Sequence, residues 1–293
     1  MKKRQFTLIS VSILFSAFAI LYSCKKEEDD VKEFDTQSSQ DNSLAEATFN
    51  DIMEISKQAI QNQSSGLSSY RLKDQVNSLL SNCATVSVTP DSTGPGGNIV
   101  VDFGTTPCRC SDYRLRKGII NVNYTGTYHD SSTVITATLS NYFVGLDSTN
   151  MFQVMGTKTV TNKGHNSAGN LWYTIDVNGQ IRNSGGAMMT WNSQRQREWI
   201  AGDTTTGLTL QDYSDDIYSI TGSADGSTFE GVSYTANITQ ALIVQVGCRW
   251  IQAGTFDLTP VGLATRSFDY GSGACDDDAT LTVNGATIPI KLR

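Results

Sequence analysis

From residue 84 to the end of the chain, apolar residues recur at every second position. That spacing puts them on one face of a strand and suits no helix. The runs 84–89 and 98–103 are short, and the Pro- and Gly-rich stretch 90–97 between them reads as a hairpin loop. Ile120, Val122, Tyr124 and Tyr128 then share one face. Ile135, Ala137, Leu139 and Phe143 share the next; Phe152, Val154 and Val160 follow, then Leu171, Tyr173, Ile175 and Val177. Further runs cover 187–200, 216–224, 231–239, 241–247, 250–258, 264–270, 279–283 and 286–292. Turn residues at 129–132, 183–186 and 224–227 separate them, and Asn284-Gly285 is the clearest two-residue hairpin. Asn178-Gly179 is a weaker turn signal, with little strand after it.

No stretch after 84 reads as a crossover helix, so successive strands are expected to pair antiparallel. The expected fold is all-β: an antiparallel meander over 83–293, built as a sandwich, half-barrel or extended sheet. Many strands carry one apolar and one Thr/Ser/Asn face, so one side of the sheet is expected to meet water.

One or two short helices are expected to precede it, over 44–82. Ser43 and Glu46 have capping-box spacing. Ala45, Phe49, Ile52, Ile55 or Ser56, and Ala59 follow at helical spacing, giving a helix over about 44–61. Leu72, Val76, Leu79 and Leu80 suit a second. Such faces are expected to pack on the β domain; a partner surface or tether clamp is the alternative. Residues 24–43 are polar and charged and read as a flexible tether.

Residues 1–23 have the form of a secretory leader. Lys2, Lys3 and Arg4 precede an apolar run over 6–22 that is short for a membrane span. Its last tetrad, Leu21-Tyr22-Ser23-Cys24, resembles the lipobox of bacterial lipoproteins, with Tyr22 a mild departure. The resemblance implies a diacylglyceryl thioether on Cys24, cleavage before it and acylation of the new amine. Two or more acyl chains hold a protein to a membrane firmly, where one is marginal. The run Lys25-Lys26-Glu27-Glu28-Asp29-Asp30 reads as a solvated tether. It also resembles the export signal of Bacteroidota surface lipoproteins. That implies the outer membrane and its cell-surface face, with the periplasmic face as alternative.

A formal charge of −7, made more negative by loss of the leader, argues against nucleic acid, where Lys and Arg must neutralise phosphates. Six cysteines are present; with Cys24 assigned to lipid, Cys83, Cys108, Cys110, Cys248 and Cys275 remain. In an oxidising compartment disulfides are expected: Cys248 with Cys275, and Cys83 with Cys108 or Cys110. The odd cysteine of the Cys108-Arg109-Cys110 trio is then a free thiol. The spacing is wrong for zinc, and the two histidines, His129 and His165, offer little for a metal site or triad. No cofactor is expected. Asp276, Asp277 and Asp278, and the looser Asp212, Asp215 and Asp216, read as solvated turn acids.

One strand stands out. Trp191, Arg195, Arg197 and Trp199 share a face and are the candidate ligand-binding residues, because aromatic rings and guanidinium groups can hold a sugar or an anion. The strand is polar on both faces, which also suits an exposed or edge strand. Glu198 and Glu230 are the acids a glycosidase would need, though nothing in the sequence brings them together.

The stretch 84–293 resembles a group of uncharacterised Bacteroidota lipoproteins. The likeness rests on Asp102-Phe103-Gly104, Thr159-Val160-Thr161-Asn162, Arg197-Glu198-Trp199-Ile200, Cys248-Arg249-Trp250-Ile251, Asp269-Tyr270-Gly271 and Cys275-Asp276. It implies a secreted β-rich lipoprotein and no particular activity. The expected role is non-enzymatic: binding a glycan, protein or envelope component, or a structural part in the envelope. A hydrolase acting on polysaccharide or peptide is the alternative, and a lipid carrier with an apolar interior a further one.

Overall fold

A computed structural model describes residues 36–63, 69–71, 84–204, 214–248 and 250–292. Helix α1 (Gln37–Gln63) comes first. It is followed by β1 (Ser69–Arg71), β2 (Thr85–Pro90), β3 (Gly97–Asp102), β4 (Cys108–Arg109), β5 (Leu115–Tyr124), β6 (Val134–Gly145), β7 (Phe152–His165) and β8 (Leu171–Arg182). The second half holds β9 (Met188–Ala201), β10 (Ile217–Ser227), β11 (Ser233–Gln245), β12 (Ala253–Pro260), β13 (Arg266–Ser272), β14 (Asp278–Val283) and β15 (Ala286–Lys291). The fold is the all-β antiparallel meander that the alternation predicts. Each strand pairs with the next, except that β3 pairs directly with β5 and the short β4 pairs with β5 alone. The sheet is open: among the described residues β1 and β15 do not pair.

Alternation decides which side chains face inward. In β9 the buried residues are Met189, Trp191, Ser193, Arg195, Arg197 and Trp199, and the residues between them face outward. In β6 the phase changes. Register slips between Thr138 and Tyr142, where Asn141 takes φ 47°, so Tyr142 and Val144 are buried in place of Phe143. Phe143 lies under Lys117 Nζ, 4.3 Å from its ring centroid. A bulge adds one residue to one strand and so inverts the alternation beyond it.

Such bulges also bend strands. Gly118 (φ 87°) sits at the break between Lys117 and Ile119, and Gly222 (φ 122°) at the break between Ile220 and Ser223. A Cβ at either would lie 2.0–2.2 Å from a carbonyl oxygen of the neighbouring strand. Only glycine fits both the dihedral and the gap. The curled sheet surrounds α1, which bonds to side chains from β5, β7, β9 and β13 and to Tyr218 of β10.

The helix is longer than the spacing predicts. Thr36 O accepts the first helical bond from Gln40 N–H, so Ser43 and Glu46 lie inside the helix and cap nothing. Residues 37–43 are therefore helix, where polarity suggests tether. Their polar groups find partners on the sheet: Asp41 accepts the Phe229 N–H at 3.0 Å, Asn42 accepts Trp191 Nε1–H at 3.0 Å, and Ser43 Oγ meets Tyr270 Oη at 3.2 Å. The expected second helix, the leader, the rest of the tether, Cys24 and Cys83 lie outside the described residues.

Three local assignments also change. Residues 224–227, expected as a turn, are the end of β10, and the chain turns at 228–232 instead. Asn178-Gly179 lies within β8 and makes no turn. The runs 231–239 and 241–247 form the single strand β11, with register shifts between Ile238 and Ile243. The Asn284-Gly285 hairpin forms as the sequence suggests: both residues are left-handed, at φ 50° and 80°, as a type I′ turn requires.

Candidate functional site

Two features of the fold carry chemistry: the interface between α1 and the inner sheet face, and the opening that the sheet leaves along α1.

At the interface, Phe49 is the apolar wedge. Its ring stacks on Trp191, with centroids 5.7 Å apart, and lies over Gly179, where an added Cβ would be 2.3 Å from Cζ. Around this wedge the contacts are ionic. Arg195 Nη2 donates to Glu46 Oε2 at 2.7 Å and Arg197 Nη2 to Glu54 Oε1 at 2.8 Å. Lys57 Nζ donates to Asp216 Oδ2 at 3.0 Å and Tyr218 Oη at 2.6 Å, and sits 4.2 Å from the Trp199 ring centroid. Lys158 Nζ donates to the Phe49 carbonyl at 2.9 Å and to Asn50 Oδ1 at 3.2 Å. Arg116 Nη2 bonds both oxygens of Asp51 at 2.8 Å, and its two terminal nitrogens hold Asp112.

Burial shapes these ionisations. It pulls Lys158 down to about 7, helped by the nearby positive charge of Arg197 and against the pull of Glu46 and Glu54. Lys57 is lowered and Asp216 raised, each chiefly by desolvation. For Glu54 burial works upward, but Arg197 and Lys57 outweigh it and hold the carboxyl below its usual range.

The candidate ligand-binding residues do share one face, but it is the inner one. Trp191, Arg195, Arg197 and Trp199 are 2, 5, 3 and 2 % exposed. They face α1, and β9 pairs with β8 and β10, so it is neither an exposed nor an edge strand; of the four, Arg197 also lines the opening along α1. The two polar faces of β9 have different reasons: one meets solvent, the other meets the acids of the helix. The sequence reading missed Asp51, Glu54, Lys57, Arg116 and Lys158. Their signal is faint: a basic residue in the inward phase of β5, β7 and β9, and acids along a helix that must be covered.

Other candidates fall elsewhere. Glu198 is on the outer face of β9, holding the amides of Asn166 and Asn170, each at 2.7 Å. Glu230 lies past the end of β10, beyond the Ser227–Thr190 pair. Thr190 and Glu198 are eight positions apart on β9, about 26 Å at some 3.3 Å per residue. A glycosidase pair needs about 5–9 Å. Asp277 and Asp278 both hold Lys291 at 2.7 Å, and Asp216 is the buried partner of Lys57, so these three are not simply solvated. Cys248 and Cys275 form a disulfide, Cys108 is disulfide-bonded, and Cys110 is a free, buried thiol. Among the described residues no three His, Cys, Asp or Glu side chains are placed to hold a metal.

The opening is a groove of about 490 Å³. Its floor is the stripe of α1 that the sheet leaves partly uncovered, including Gln40, Leu44, Ala47, Asn50, Asp51 and Glu54 at helical spacing. One wall is the β4–β5 connection, with Asp112, Arg114 and Arg116. The other is mostly apolar and comes from the C-terminal strands and loops, with Val244, Val246, Ile251, Phe268, Ile290 and Leu292 beside Gln245, Tyr270 and Lys291. A second recess of about 630 Å³ adjoins it and shares Gln40, Leu44, Ala47 and Arg114.

Comparison of the chain with protein-family models, curated proteins and solved structures returns no match.

Proposed function

We propose that this chain is an envelope lipoprotein, anchored through Cys24 in the outer membrane and displayed at the cell surface, whose β body is a non-enzymatic binding module. The leader, the lipobox-like tetrad and the charge run after it support the anchor and the address. The observation that carries the binding role is how polarity is distributed in the body. The charged groups facing α1 are engaged in ion pairs or hydrogen bonds across the helix–sheet interface, whereas the opening offers an apolar wall in a groove of small-molecule size. A hydrolase needs an acid and a base converging on one accessible point. The acids suggested for that role lie on different parts of β9 and the β10–β11 connection.

Detergent-phase partition of the full chain against Cys24→Ala tests the anchor. The parent is expected in the detergent phase and the variant in water. Protease shaving of intact cells, with loss of the protein, separates surface display from the periplasmic face. Equal partition of the two forms would remove the anchor. Turnover of a polysaccharide or peptide by the purified protein would replace the binding role with a hydrolytic one.

A further inference from the structure

We infer that the groove along α1 binds a long-chain fatty acid, with the hydrocarbon chain against the apolar wall and the carboxylate at Arg114. The inference rests on the reading of the body as a binding module and supplies its ligand class.

Groove dimensions restrict the occupant. The floor runs from Gln40 to Ile55, about 22 Å at 1.5 Å per helical residue. A recess of about 490 Å³ along that length is of small-molecule size. An extended peptide brings a donor and an acceptor per residue. The wall is dominated by Val244, Val246, Ile251, Phe268, Ile290 and Leu292, and its polar side chains Gln245, Tyr270 and Lys291 are already bonded to Ser214, Ser43 and Asp277. Leaving a peptide's donors and acceptors dry costs about 1–3 kcal/mol each. A polymethylene chain makes no such demand and gains from every carbon buried.

The charged wall supplies the head-group contact. Asp51 and Asp112 are both held by Arg116 through short hydrogen bonds. Arg114 reaches the same two acids only at 3.4 and 3.9 Å, and its guanidinium makes no hydrogen bond to either. It stands where the two recesses meet, with its side chain 19 % exposed. A carboxylate fits its planar fork of donors.

The site is the open groove; the concave centre of the sheet is filled by α1 and its ion pairs.

The test uses the full chain carrying Cys24→Ala, purified free of lipid and titrated calorimetrically with palmitate below its micelle concentration. Saturable binding at one palmitate per chain is expected. Arg114→Gln should weaken palmitate about tenfold and leave 1-hexadecanol unchanged. Ala47→Trp, which fills the floor, should abolish both. Brominated palmitate should quench fluorescence, and Trp250→Phe should remove that quench, a readout independent of how Ala47→Trp folds. No saturable binding, binding that persists in folded Ala47→Trp, or a quench unaffected by Trp250→Phe overturns the inference. So does an equal loss of acid and alcohol in Arg114→Gln. If palmitate is silent while a purified glycan or protein binds, the binding role stands and this ligand class falls. If palmitate binds while Cys24→Ala partitions like the parent, the anchor falls and the groove assignment stands.

Discussion

The covered and uncovered sides of α1 are built on opposite principles. The covered side carries buried charge, yet Glu46 has Arg195 of the sheet within 2.7 Å and Lys57 has Asp216, beside the start of β10, within 3.0 Å. The uncovered side keeps its paired charge to one edge, where Arg114 and Arg116 meet Asp51 and Asp112 and Arg197 meets Glu54, and looks across at aliphatic and aromatic side chains. A buried ion pair repays its desolvation only when both partners are present. The covered side therefore specifies one seat for the helix more than it adds stability. The uncovered side retains apolar surface that no element of the described fold covers, as a binding surface does.

The largest expected effect comes from breaking one pair on the covered side. Arg195→Ala leaves Glu46 buried without its partner, since their side chains are only 3 and 4 % exposed. A loss of about 3–5 kcal/mol in urea unfolding is expected. Arg195→Met with Glu46→Leu should recover most of it, because matched apolar replacements of buried pairs are often neutral. If the double variant is as unstable as the single one, the pair contributes far more than placement.

Next is the disulfide beside the apolar wall. Cys248 and Cys275 are 27 residues apart in sequence, and opening a loop of that size costs about 3–4 kcal/mol. Cys248→Ser with Cys275→Ser should lower the melting temperature. Hydrogen exchange should quicken first in β11–β14 and last in β5–β9. Uniform quickening would mean that the two sides of the helix stand or fall together.

Gly179→Ala is expected to be milder. Its methyl would meet the Phe49 ring, and overpacking of this kind costs about 1–3 kcal/mol. Phe49→Leu in the same chain should relieve part of the cost. Absence of relief would show that α1 does not approach the sheet at this point.

The strands were legible because a two-residue period survives in sequence wherever one face is buried, as in Leu171, Tyr173, Ile175 and Val177. The hairpin at Asn284-Gly285 was legible because few residues accept two successive left-handed conformations. Phe143 was misplaced because a bulge shifts phase without altering composition. The start of α1 was hidden for a different reason. Gln37 to Ser43 looks like tether, and only the sheet, far away in sequence, offers partners such as Trp191, Phe229 and Tyr270 to that polarity. The same holds for the candidate site. Trp191, Arg195, Arg197 and Trp199 were correctly grouped on one face, but whether that face meets ligand, solvent or helix depends on how the sheet curls. The groove was illegible throughout, since its two walls are more than 100 residues apart and only that curvature makes them face each other.

The effect of Lys158 is spread over pH, and it is read as a slope rather than as a loss at one condition. In the fold its amine titrates near 7, against 10.5 for an ordinary lysine, because it is buried beside Arg197. Between those values the unfolded chain holds a proton that the folded chain has released. Unfolding therefore takes up a proton, and stability rises as pH climbs from about 7 towards 10.5. Neutral lysine still donates to the Phe49 carbonyl and the Asn50 amide, neither of which requires a charge. Lys158→Met should flatten this rise relative to the parent, measured as urea midpoints across the window. A parent and variant with parallel pH profiles would mean that Lys158 stays charged under α1. Its surplus positive charge would then be held in place by Glu46 and Glu54, and the covered face would depend on those two acids at more than their own pairs.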